Sequence, residues 1–368
     1  MRDVEFLAES LLLPQAKYVR ELRPSLPADT FKPARSRVAL IPAHLAVITV
    51  ATLAVARGWV PWPVVPVLSI AIGISFACMT FVAHETLHGG IVRGKYAKHL
   101  IGWICFAPFV LSPRLWVAWH DRVHHANANL PDDPDMYPTL AQYQANSRIR
   151  FFVDAFSLGC RRWRGGLSLI LGFTVQSAHQ LASATRRGFL SPGQRRLAVA
   201  ETAIDVAVWA VVAALVGFVP FLFVFVLPLL IGNAIIMAFI LTNHSLSPMA
   251  SINDPLVTGL SVTAPRWIEW LTLRFGFHVE HHLFPAMSSR HAHAVRALLQ
   301  DRWPERYQAM PLRRALGELH RTARVYKDAT TLIDPRTGQE FPTLLAAMAD
   351  DVAHRREPRL ASGAAASV

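Results

Sequence analysis

The chain has 368 residues, of which 52% are hydrophobic and only 17% charged. Soluble domains carry about 25% charged residues, and so apolar a chain is excluded from general disorder, while three scattered cysteines (Cys78, Cys105 and Cys160) exclude a disulfide scaffold. A net charge of +12 and 16 histidines remain to be placed.

Segment 1–37 has seven basic residues. Pro14, Lys17, Arg20 and Arg23 interrupt any compact apolar core of the kind a signal peptide needs, so it reads as a cytoplasmic N-terminal segment. Val38 to Ala56 is 19 residues without Lys, Arg, Asp or Glu, close to the ~20 that cross hydrocarbon. An interfacial turn, Trp59-Val60-Pro61-Trp62-Pro63, leads into a second span over 64–83. His99 to Pro113 is 15 residues, too short to cross, and is expected to be re-entrant or interfacial. Gly165 to Thr185 is uncharged over 21 residues but rich in Ser, Thr, Gln and His. It is expected to lie in the interface, rimmed by Arg161, Arg162, Arg164, Arg186 and Arg187, with a fifth span as the alternative. Val206 to Asn253 contains no Lys, Arg, Asp or Glu over 48 residues, and Gly217 and Pro220 divide it into spans at 197–217 and 221–242. Glu201 and Asp205 near the start of the third span read as headgroup-level charges.

The expected fold is all-α and membrane-integral: four transmembrane helices in two hairpins, with a cytoplasmic helical cap. The membrane domain runs over 38–300, a cytoplasmic C-terminal segment over 301–354, and a disordered tail over 355–368. Of 37 Lys and Arg residues, 36 lie outside the two hairpin turns, which places that face and both termini in the cytoplasm. Lipid headgroups, not nucleic acid, are the partner of this basic face. Arginine outnumbers lysine 32 to 5, which suggests a GC-rich bacterial genome and hence a plasma membrane.

Eight of the histidines fall in three short boxes: His84-Glu85-Thr86-Leu87-His88, His120-Asp121-Arg122-Val123-His124-His125, and His278-Val279-Glu280-His281-His282. Residues three and four apart share a helix face, so each box can aim two or three imidazoles at one point. The first box ends span two, the second lies in the middle segment, and the third follows span four. All three therefore meet at one membrane surface. Imidazole suits Zn, Cu, Fe and Ni, and eight ligands exceed the needs of one tetrahedral zinc, so a dinuclear centre is expected. His244, at the end of span four, is a candidate ninth ligand. The first box also spells HExxH, the pattern of zinc proteases, but a protease would leave the other boxes without a role.

HETLH, HDRVHH and HVEHH, in this order and between two hydrophobic hairpins, resemble the three histidine boxes of the integral-membrane fatty acid desaturase family. Gly276 to Pro285 resembles the surroundings of the family's third box. His125-Ala126-Asn127-Ala128-Asn129 with Asp132, Asp133 and Asp135 resembles the stretch after its second. The resemblance covers residues 35–300. It implies two iron ions held by histidine, O2 as co-substrate, an acyl chain on CoA, a carrier protein or a lipid as substrate, and insertion of a C=C bond. Related hydroxylases and carotenoid ketolases share boxes of this type. No haem motif of the HPGG kind occurs, so electrons are expected from a separate donor such as a ferredoxin, a rubredoxin or cytochrome b5 with its reductase. Some family members hold a water ligand on an asparagine; here Asn243 directly precedes His244, unlike the spacing in those members. No catalytic group separate from the metal site is expected. Glu85, Asp121, Asp132, Asn243 and Glu280 are candidates to orient the ligands, and Trp116 and Trp119 are candidates to wall a substrate tunnel.

Overall fold

A computed structural model describes residues 6, 7, 9–156, 159 and 163–344. Arg161, Arg162, Cys160 and the expected tail at 355–368 lie outside the described residues.

Four helices are long and apolar enough to cross a membrane: Arg35–Ala56, Trp62–His88, Pro192–Val216 and Phe218–His244. They pair as two hairpins. With no water in hydrocarbon, each apolar run satisfies its backbone within itself, and only the helix does so in one segment. The first turn sets Pro61, Pro63 and Pro66 at helix starts, where a missing N–H costs nothing. Trp59 and Trp62 are exposed at its tip. The third span opens on a capping box, in which Ser191 Oγ accepts from Gln194 N–H and the Gln194 side chain accepts from Ser191 N–H. It ends at Gly217, whose φ of 85° turns the chain into the fourth. The second span stops immediately after its histidines because Gly89 adopts φ 97°, a left-handed C-cap.

The second and fourth spans form the buried pair. They approach so closely at Gly73 that an added Cβ would stand 2.7 Å from the Ile231 Cβ. A π-helical turn at Leu222–Val226 frees the Phe223 carbonyl, which accepts from Ser69 Oγ at 2.6 Å. The first and third spans present exposed Leu45, Val50, Leu53, Val206, Val211 and Leu215, the face that lipid covers.

Between the hairpins, Lys95–Phe109 and Pro113–Asn127 form a pair bent by 104°. Its turn is tied to span three. Glu201 is buried and accepts from Ser112 Oγ (2.5 Å) and Arg114 (3.1 Å), with His99 Nε2 at 3.0 Å. At the start of the third span, Glu201 thus acts as an internal fastener. The helix Gly166–Ser183 also differs from expectation. Ser177, Gln180 and Ser183 are buried, and Thr174 donates its N–H to Asn233 Oδ1 on the fourth span at 3.0 Å. Thr174, Gln176 and Gln180 face the protein, where Asn233, Asp135 and the Pro134 carbonyl are their partners.

Short helices and two small sheets, Ser261–Thr263 with Ala309–Pro311 and Thr331–Ile333 with Glu340–Pro342, adjoin the histidine end. Asp254 ties them to the N-terminal helix Gln15–Leu22. It accepts from Leu13 N–H (2.7 Å), Tyr18 Oη (3.1 Å) and Arg306.

Gly73→Leu is expected to cost roughly 1–3 kcal/mol through overpacking at the span crossing. This is read as a lower unfolding temperature of the detergent-solubilised protein, with Gly166→Leu, which meets open space, as the silent control.

Candidate metal centre

The second box is wound as a π-helix over Val117–His124, with His125 N–H donating to the His120 carbonyl. In an α-helix His125 would point about 140° away from His120. The wider i→i+5 turn brings His120, His124 and His125 toward one side. His84 and His88 use ordinary i, i+4 spacing on the second span, and His278 and His282 do the same on the short helix His278–Leu283.

The structure brings all nine predicted histidines together in two adjacent groups. His84, His88, His120, His125 and His281 form one, and His124, His244, His278 and His282 form the other; within each, one nitrogen per residue lies within 4.8 Å of the rest. Each of the last two boxes is shared between the groups. The groups abut, with the His125 and His282 rings stacked at 4.2 Å.

These donors fit a transition-metal cation. His244 Nδ1 lies 2.8 Å from the Thr258 carbonyl, so it carries the proton and leaves a lone pair on Nε2. That Nε2 faces His278 Nε2 at 2.5 Å and His282 Nε2 at 3.2 Å. Across the other group, His120 Nε2 faces His84 Nε2 at 3.2 Å, and His281 Nε2 faces His125 Nε2 at 3.3 Å. Buried ring nitrogens converging in this way form two sites that could each hold a cation. Burial first, and then neighbouring imidazoles, hold His278, His281 and His282 well below the ordinary imidazole value. They are the neutral form that binds metal.

The orienting carboxylates are only partly those expected. Asp121 Oδ1 lies 2.8 Å from His88 Nδ1, as the box spacing suggests. Glu85 faces no imidazole: it accepts from Ser288 Oγ (2.7 Å), Ser289 Oγ (3.0 Å) and Arg37, tying span two to the loop after the third box. Glu280 is fully buried and accepts from Ser261 Oγ (2.5 Å), Tyr307 Oη (2.5 Å) and Arg296 (2.8 Å), so it braces the third box from behind. Asn243 lies 3.0 Å from His278 Nδ1, and its Oδ1 has no partner among the described residues.

Two orienting residues escaped the sequence reading. Asp133, buried, accepts from His124 Nδ1 at 2.9 Å and also from Asn129 N–H (2.7 Å) and Asp135 N–H (2.9 Å). Asp135 comes within metal-ligand reach of His120 and His124. It accepts from Trp119 Nε1 (2.9 Å) and Gln176 (2.7 Å). Burial, foremost, raises its carboxyl to about 6. The run Asp132-Asp133-Pro134-Asp135 is visible in the sequence, but only the turn after His125 decides that Asp132 is exposed and its neighbour buried.

A mostly apolar cavity of 80 Å³ opens beside both groups, lined by Trp116, Trp119, Phe173, Ile236 and Met237 among others. Both predicted tryptophans thus stand in its wall, with Trp116 also packed against His84, His88 and His120.

Asp133→Asn is expected to weaken metal retention by about 10–100-fold, since it loosens the His124 tautomer. Asp132→Asn, one residue away and exposed, is expected to change nothing. Chelator competition followed by metal analysis reads both.

Residues 18–314 match the family model described as fatty acid desaturase. The chain is 24% identical over 304 residues to an sn-1 oleoyl-lipid 12-desaturase of Synechocystis, covering 77% of this chain and 82% of that protein. It is 23% identical to the sn-1 oleoyl-lipid 12-desaturase of Anabaena variabilis, with the same coverage of each chain. It is also 23% identical to the chloroplastic omega-6 fatty acid desaturase of Spinacia oleracea, covering 67% of this chain and 55% of the spinach protein. Four membrane-crossing helices, a histidine centre at their ends and a family match over most of the chain agree: this protein belongs to the fatty acid desaturase family, and is a membrane oxidoreductase acting on fatty acyl chains.

Proposed function

We propose that the nine histidines hold two iron ions, five at one and four at the other, and that the centre uses O2 and electrons from a separate protein to insert a C=C bond into an acyl chain. The observation that carries this reading is the division of convergent imidazoles into two adjacent groups beside one apolar cavity. Iron bound there would supply an oxidant strong enough to take hydrogen from an unactivated methylene, which redox-inert zinc would not.

The chain's own residues perform the rest. Neutral imidazoles stabilise the metals without adding negative charge. Asp133 fixes the protonated nitrogen of His124 and Asp121 stands beside Nδ1 of His88, so the opposite nitrogens stay free to bind. Asn243, with its unpartnered oxygen, supports the group that is one imidazole poorer. Trp116, Phe173 and Met237 keep water out and hold the chain in one register, the condition for attacking one carbon among many. The hydrogen bonds from Trp119 and Gln176 to Asp135 stiffen the wall nearest the ligands.

The basic residues flanking the spans support a cytoplasmic histidine face, both termini in the cytoplasm and a membrane domain over 38–300. A ferredoxin, rubredoxin or cytochrome b5 would then deliver electrons from that side. The arginine-rich composition favours a bacterial plasma membrane.

Two irons per chain are expected in the purified protein. His281→Ala should empty the five-histidine group and His282→Ala the four-histidine group, each abolishing activity. Expression with a reductase and electron donor should yield new double bonds, mapped by mass spectrometry of the lipids. One zinc per chain, or hydroxylated products without unsaturation, would overturn the reading.

A further inference from the structure

A second opening lies outside the metal centre. On the first span, Arg37, Leu40, Ala43, His44 and Val47 recur at helical spacing along one side of a groove of 790 Å³. The opposing wall is the short helix Arg266–Leu271, and Cys78 and Val82 of span two line it as well. From Arg37 to Val47 the groove follows about 15 Å of helix, with Val47 exposed on the lipid-facing side. Trp267 and Trp270 on the short helix are 64% and 70% exposed, the pattern of a helix at headgroup depth.

The groove is polarised. Its mouth gathers Arg37, Arg266, Arg274 and His293 against Glu269. Arg37 is engaged by Glu85 and Ser289, Arg274 gives one N–H to the Arg290 carbonyl and keeps its others, and Glu269 lies 3.7 Å from His293. Arg266 is exposed and has no acceptor among the described residues. Below this cationic mouth the lining is Leu40, Ala43, Val47, Cys78 and Val82, with His44 turned to Ser75 among them.

The groove also leads inward. Leu273 and Arg274 line both the groove and a 30 Å³ cavity that reaches His84 and His281. Phe81, His84 and Phe275 in turn line both that cavity and the one beside the metal groups. Two thin partitions therefore separate the bilayer from the centre. The outer one is formed by consecutive non-glycine residues in the left-handed region, with φ of 51° at Leu273 and 59° at Arg274. Side-chain-bearing residues rarely adopt this conformation, so the strain sits in the wall an entering chain must pass.

We propose that this groove is a lateral portal for an intact anionic phospholipid. The phosphate is held by Arg266 and Arg274 with Arg37 beside them, and one acyl chain passes the Leu273–Arg274 turn toward His84 and His281. The inference rests on the desaturase reading above and adds the carrier and the route. A guanidinium cluster recognises phosphate through charge-assisted hydrogen bonds, and an apolar trough open to the bilayer suits an acyl chain that never leaves the membrane.

The test uses the full-length protein in detergent with added phosphatidylglycerol, phosphatidylcholine or inorganic phosphate, and native mass spectrometry of retained lipid. Wild type is expected to retain phosphatidylglycerol over phosphatidylcholine, with no displacement by inorganic phosphate. Arg266→Glu, at an exposed and unpartnered site, should lower that retention by at least about tenfold. Ala43→Trp fills the trough below the arginines; it should abolish new double bonds in phospholipid acyl chains while metal content stays at the wild-type level. Unchanged retention in Arg266→Glu, displacement by inorganic phosphate, or full desaturation by Ala43→Trp would each overturn the portal. A wild type that binds phosphatidylglycerol through Arg266 but makes no double bonds overturns the desaturase reading and leaves the lipid site standing.

Discussion

The structure depends on one electrostatic demand: nine imidazoles, each with a ring nitrogen turned inward, converging in a space with little water. Neutral nitrogen lone pairs that face one another in such a place repel unless a cation lies between them. The surrounding protein can be read as the means of enforcing that arrangement. Two long helices bring His84, His88 and His244 to a common level; a π-helical turn and a six-residue helix bring the other six. Behind them stand buried acids, each saturated by donors. Asp133 collects an imidazole and two backbone N–H groups, and Glu280 collects a serine, a tyrosine and an arginine. A buried carboxylate with fewer partners would itself compete for a proton or a metal.

The same compensation recurs farther from the centre. Glu201 spends its charge on Ser112 and Arg114, fixing the turn that delivers the second box. Asp254 joins the N-terminal helix to Arg306. Polar groups inside this membrane protein are thus placed at junctions between segments, where one carboxylate can close several donors at once. The close approach of spans two and four at Gly73 supplies the complementary apolar junction.

Much of this was legible in the sequence, for specific reasons. Span lengths follow from hydrocarbon thickness, which uncharged runs report directly, so the four helices agree with expectation to within a few residues at most ends. The histidine boxes carry their own geometry as i, i+4 spacing. What spacing could not convey was a change of helical winding: HxxxHH fits one side only because Val117–His124 is a π-helix. Nor could it assign carboxylates. Glu85 and Glu280 sit inside boxes yet serve neighbouring loops, whereas Asp133 serves His124 from outside, because acceptor choice is settled by tertiary approach and not by adjacency in the chain. The helix Gly166–Ser183 misled for the same reason: its polar residues looked solvent-bound until Asn233 and Asp135 supplied partners inside the protein.

The interleaving of the boxes has a consequence for biogenesis. The five-histidine group begins at His84 but is incomplete without His281, and the four-histidine group spans His124 to His282. Neither can close until the ribosome has passed residue 281, by which point both hairpins have already been synthesised. The brace on the third box waits longer still, for Arg296 and Tyr307. A metal held as proposed would therefore be captured late, by a membrane scaffold already in place, and a chain cut just before residue 281 would carry every span and half-built pockets. On the proposed reading, synthesis of the spans and closure of the metal sites are successive events, ordered by where the histidines fall along the chain.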